Sequence, residues 1–194
     1  MEFTLFYRGP LKTNGRPEHK HEIRYEFHKQ LQVLWQQPPL DSKEGEGRLT
    51  PYSAYLNGSF AKKFSRCDED FIFAAVVWEP MNVTADLDIT FLRHGKPGAI
   101  IGIGGDIDNR LKTLFDALKI PDLSKNELPA DIHPSDLDDP FHCVLEDDAL
   151  ISALSIRTDR LLSPDDATDE SEVQLVIRVR TRILAANNDN LSLL

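Results

Sequence analysis

The sequence predicts an α/β fold, a single domain over residues 1–186 in which a mixed β-sheet carries packed helices. Two segments repeat apolar residues at helical spacing and five read as strands. Their order is strand, helix, strand, strand, helix, strand, strand, which calls for helices laid on a sheet. A chain of 194 residues, 41% hydrophobic, is long enough to bury a sizeable core.

The elements follow in order. Phe3 to Tyr7 reads as a first strand and is ended by Gly9-Pro10. After a loop with Lys12, Asn14, Gly15 and Arg16, Pro17 can open a helix with Ile23, Phe27, Leu31, Leu34 and Trp35 on one face, and Pro38-Pro39 stops it. Lys20, Arg24, His28 and Lys29 then read as its solvated face or, alternatively, as a DNA-facing one. Residues 41–69 read as a long loop, in which Lys62, Lys63 and Arg66 could touch a phosphate backbone. Phe71 to Trp78 makes an apolar strand. In the next, Leu87, Ile89 and Phe91 alternate with Asp86, Asp88 and Thr90, as on an edge strand with one exposed side. A helix follows Asp106, with Leu111, Leu114, Phe115 and Leu118 on its buried side. Residues 121–142 form an acidic insert, Ile151 to Arg157 another strand, and Val173 to Leu184 the last, with residues 187–194 as a flexible tail. In the last strand Val173, Leu175, Ile177 and Val179 share a face. Arg178, Arg180 and Arg182 line the other, either to contact DNA or to keep it soluble.

The net charge of −10 at first argues against a nucleic-acid partner, since Lys and Arg contacts to phosphate supply most nonspecific affinity. The charge is uneven, however. Residues 1–66 carry 11 Lys and Arg against 7 Asp and Glu, a net +4, and residues 67–194 carry 11 against 25, a net −14. There is no apolar run long enough for a membrane span and no signal-like N-terminus, so a cytoplasmic protein is expected. Cys67 and Cys143 lack the companions of a zinc site and read as free thiols; His19, His21 and His28 read as surface histidines. There is no glycine-rich nucleotide fingerprint, nucleophile elbow or calcium loop.

The chemistry concentrates in Asp106-Ile107-Asp108-Asn109-Arg110-Leu111-Lys112, at the start of the second helix, and in Glu146-Asp147-Asp148 downstream. Mg²⁺ takes oxygen ligands, often one or two carboxylates with waters and substrate phosphate, so convergent aspartates are enough to hold it. Asp108, Lys112 and Asp116 recur at four-residue spacing along the border of the buried stripe. Asp and Asn are also ordinary helix caps, and Asp four residues before Lys is an ordinary surface pair, so the spacing leaves both readings open. Asp86 and Asp88 are a rival carboxylate pair without a lysine or amide and read as structural.

The longer pattern, Asp-Ile-Asp-Asn-x-x-Lys-x-x-Phe-Asp-Ala-Leu from Asp106 to Leu118 followed by Leu145-Glu-Asp-Asp-Ala149, resembles the RusA family of Holliday junction resolvases. The resemblance implies a RusA-like fold and a Mg²⁺-dependent endodeoxyribonuclease, with Mn²⁺ as substitute, acting on branched DNA as a homodimer. It makes Asp106, Asp108 and Asp148 the metal ligands and Lys112 the catalytic lysine, with Asn109, Asp116 and Asp147 around them. Lys12, Arg16, Lys62, Lys63, Arg178 and Arg180 are the candidate DNA contacts. The chain departs from the family in having Ile101-Gly-Ile-Gly-Gly105 where arginines precede the first aspartate, and in its acidic insert. These departures motivate the alternative of a weakly active or inactive DNA- or protein-binding relative.

Overall fold

A computed structural model describes residues 1–37, 40, 65–68, 70–94, 106–138, 140–162, 171–186 and 190. The side chains of 65–68 and of Asp106 lie outside that description, as do Lys62 and Lys63. Among the described residues, seven strands and two α-helices run in the order β1 (Glu2–Pro10), α1 (Pro17–Trp35), β2 (Ser65–Asp68), β3 (Phe71–Val77), β4 (Val83–Arg93), α2 (Asp106–Leu118), β5 (Phe141–Leu145), β6 (Ile151–Arg160) and β7 (Glu172–Ile183). The α/β class therefore holds. The strands divide into two mixed sheets rather than one, ordered β1-β7-β4-β6 and β2-β3-β5. In the first, β7 is antiparallel to β1 and β4, and β6 is parallel to β4. In the second, β3 is antiparallel to β2 and parallel to β5.

The sheets meet at a corner. Trp78 and the 3₁₀ turn Glu79–Met81 link β3 to β4; Asn82 takes a left-handed φ of 53°, and the Val83 N–H donates to the Trp78 carbonyl at 3.3 Å. Asn tolerates that conformation better than most residues. One apolar core runs through both sheets and helices, from Leu5 and Phe27 through Phe73 and Phe91 to Leu114 and Ile177. α1 packs on β1, β5 and α2, which fixes the motif helix against the rest of the domain.

Several expectations are corrected. β2 and β5 were unforeseen, the first inside the expected 41–69 loop and the second taking Phe141 and His142 from the acidic insert. β4 is an interior strand between β7 and β6, not an edge. On α1, Arg24 and His28 are buried, not solvated, and His19 is buried too. Asn190, in the expected tail, is buried and donates to the Met81 and Ala185 carbonyls at 2.8 Å.

Candidate functional site

α2 begins where the sequence places its carboxylates. The first turn of a helix leaves backbone N–H groups unpaired at the positive end of its dipole, so acidic residues stabilise that end. Ile107, Leu111, Leu114 and Leu118 anchor the helix in the core. Asp108 and Lys112, one turn apart, stay exposed and make no ion pair among the described residues. The Asn109 carbonyl accepts from the Thr113 hydroxyl at 3.3 Å.

Asp116 lies nearly buried instead of continuing that exposed row. Its Oδ2 meets Lys20 Nζ of α1 at 2.7 Å and its Oδ1 meets Lys119 Nζ at 3.7 Å. Lys119 also faces Glu127 at 3.6 Å and Asp148 at 3.9 Å. Beneath them Arg24 donates to the carbonyls of Asp116 at 2.7 Å and Lys119 at 3.2 Å, satisfying acceptors that the end of a helix leaves open. Sequence reasoning read Lys20 as solvated or DNA-facing, where it pairs with Asp116, and missed Lys119 and Glu127. Only the three-residue step from Asp116 to Lys119 carried a local signal of this cluster.

The adjacent aspartates diverge. Asp147 accepts from the Ala149 N–H at 2.9 Å and caps the turn Asp148–Leu150, leaving Asp148 to turn toward Lys119. The turn packs on α2, so helix and acidic segment adjoin, as expected. They adjoin at the far end of the helix. Lys119 follows the last turn and Asp108 lies in the first, eleven residues apart, or about 16 Å along a helix axis. No three His, Cys, Asp or Glu side chains gather as a metal site among the described residues. Mg²⁺ can be held by one or two carboxylates and water, and at the helix start Asp108 is exposed and without an ion pair among the described residues.

The basic candidates separate clearly. Arg178 and Arg180 are exposed on β7, but both guanidinium groups pair with Glu2 of β1, Arg180 at 3.2 Å. Arg182 pairs with Asp86 at 2.9 Å and Arg157 with Asp88 at 3.7 Å, which accounts for the rival carboxylates. Lys12 and Arg16, in the loop between β1 and α1, are exposed with no carboxylate partner among the described residues.

His21, His28 and His142 form a separate group around Phe141. His28 stacks on Phe141, ring centroids 4.1 Å apart, and its Nε2 lies 2.9 Å from Asp138 Oδ2. The His142 backbone N–H donates to His28 Nδ1 at 2.9 Å, so the His28 proton sits on Nε2 and is donated to Asp138. Burial pushes His142 down to about 3 and His21 down to about 4, and lowers His28 as well. Burial likewise pushes the free Cys143 thiol up to about 12, which makes it an inert core residue. No helix among the described residues is long and apolar enough to cross a membrane. No protein-family model, curated protein or solved structure matches the chain.

Proposed function

We propose that this chain is a Mg²⁺-dependent endodeoxyribonuclease that cuts branched DNA such as four-way junctions. The opening of α2 carries the reading: two aspartates in the first turn and a lysine one turn on, with Asp108 and Lys112 exposed and uncommitted among the described residues. Asp106 and Asp108 would hold the metal, which when bound polarises the scissile phosphate and lowers the pKa of water. Lys112 is placed to offset the charge that develops on the phosphate oxygens. The helix N-terminus, with its unpaired N–H groups, favours an anion at the same spot. Asp148 joins as third ligand through the family resemblance alone. Two symmetric nicks in a junction require two sites, hence a C₂ homodimer.

A second reading, a DNA- or protein-binding relative without cleavage, is favoured by the position of Asp148 against Lys119 at the opposite end of α2 from Asp108. A synthetic four-way junction incubated with the protein and Mg²⁺ or Mn²⁺ separates the two. Cleavage by the parent chain that is lost in Asp108→Asn and Asp106→Asn, with junction binding retained, supports the nuclease. Binding without metal-dependent cleavage rejects it in favour of the second reading.

A further inference from the structure

In an acidic protein, the cations that matter for a polyanion are those not already spent on carboxylates. On the open sheet face Arg8, Arg157, Arg178, Arg180 and Arg182 all face carboxylates. Lys20, Lys29, Lys119 and Lys125 are likewise paired. Lys12, Arg16 and Lys112 are exposed and meet no carboxylate among the described residues. They come from two distant parts of the chain, and the fold joins those parts directly.

The joint is the Gly15 N–H, which donates to the buried Thr113 hydroxyl at 2.9 Å, one residue past Lys112. A Cβ at Gly15 would lie 2.7 Å from Thr113 Cγ2 and 3.0 Å from His19 Cδ2, so only glycine lets the loop sit this close. The rest of the loop is equally fixed. Leu11 is buried and its N–H donates to the Ser171 carbonyl at 2.8 Å; the Lys12 N–H donates to His19 Nε2 at 3.2 Å; and Asn14 takes a left-handed φ of 49°. No acidic residue occurs from Arg8 to Pro17. A preordered basic loop loses little conformational freedom on binding a polyanion.

We propose that Lys12 and Arg16, held by the Gly15–Thr113 contact beside Lys112, form the surface that grips the phosphate backbone of the DNA substrate. The inference rests on the proposed function for the choice of DNA as the polyanion. Lys12 and Arg16 contact phosphates flanking the one beside Asp108, and Thr113 acts as a positioning residue for the loop.

The test is the salt dependence of affinity for a fluorescein-labelled four-way junction, measured by anisotropy on the full chain in EDTA, with cleavage assayed separately in Mg²⁺. Each phosphate contact contributes about 0.9 to the slope of log affinity against log salt, so Lys12→Ala/Arg16→Ala should lower the slope by about 1.8. That is about a twelvefold smaller change in affinity between 50 and 200 mM salt. Arg178→Ala/Arg180→Ala should change the slope far less, because Glu2 already holds both side chains. Gly15→Ala should weaken binding, and adding Thr113→Ser, which removes Cγ2 but keeps the hydroxyl, should restore part of it. If Gly15→Ala does not fold, the Lys12/Arg16 variant decides alone. A parent chain that binds and cleaves while this variant keeps the full slope overturns the surface and leaves the nuclease standing. A slope that depends on Lys12 and Arg16 without any cleavage supports the surface and removes the nuclease, and a parent chain that binds no DNA overturns both.

Discussion

Acid should destabilise this protein through His142 well before its carboxylates titrate. The His142 ring is buried between Trp35 and His28, each with ring centroids 5.5 Å away, and its Nδ1 finds no hydrogen-bond partner among the described residues. Burial, reinforced by nearby His28 and only partly opposed by Asp138, pushes its pKa from 6.5 to about 3. As pH falls below 6.5 the unfolded chain takes up a proton that the folded chain refuses, so stability present above that pH is lost progressively toward about 3. At pH about 5 the loss from this one residue is about 2 kcal/mol, from 1.36 kcal/mol per unit over roughly 1.5 units. For a chain of this size that lowers Tm by about 4–8 °C. His28 and His21, both lowered by burial, act in the same direction. Asp138 is lowered by its bond to His28, so its contribution fades only below the ordinary carboxylate range and leaves this window to the histidines. Urea unfolding of the parent chain and of His142→Phe, which keeps a ring in the stack but cannot titrate, at pH about 7.5 and about 5.0 measures the effect. The variant should lose about 2 kcal/mol less than the parent between the two conditions. Equal losses in both, or no loss in the parent, would refute the assignment of the acid sensitivity to His142.

Lys112→Ala should slow junction cleavage by about 10²- to 10³-fold at saturating Mg²⁺, by analogy with the loss of one transition-state donor; an unchanged single-turnover rate would reduce Lys112 to a surface residue. Asp148→Asn should eliminate metal-dependent cleavage and weaken Mn²⁺ binding in calorimetry, whereas Asp147→Asn, which loses only the cap on the Ala149 N–H, should keep most of its activity. The reverse pattern would move the third ligand by one residue, and full activity in both would confine the site to α2. Lys20→Met should cost about 1.5–3 kcal/mol in thermal or urea unfolding, because Asp116 is nearly buried and would keep only the longer Lys119 contact. A stability equal to the parent would show that the pair is no better than the solvation it replaces.

The sequence by itself determined the local elements and the faces they present. The spacing of Ile23, Phe27, Leu31, Leu34 and Trp35 predicted the buried stripe of α1, and the alternation of Val173, Leu175, Ile177 and Val179 predicted that of β7; all are buried except Leu34, which packs partly buried against the core. It likewise determined that Asp106 opens α2, because acidic residues before an apolar series at helical spacing suit a helix start and little else. Partnership across the fold was decided only by the tertiary structure. Arg24 and His28 looked solvated because a polar residue on a helix border has no local reason to be buried. Their reasons lie far along the chain, in the carbonyls of Asp116 and Lys119 and in Asp138 with the His142 backbone. β2 and β5, at four and five residues, were too short for a period to register, and β5 exists by pairing with β3 more than sixty residues earlier. The same limit governs the candidate site. Helical periodicity puts Asp108 and Lys112 on one exposed side, but Asp148 is directed to Lys119, and the Lys12–Arg16 loop to Thr113, by packing between elements distant in sequence. Period constrains the side on which a residue faces within its own element, whereas its neighbours across the fold are chosen by long-range burial and hydrogen bonding.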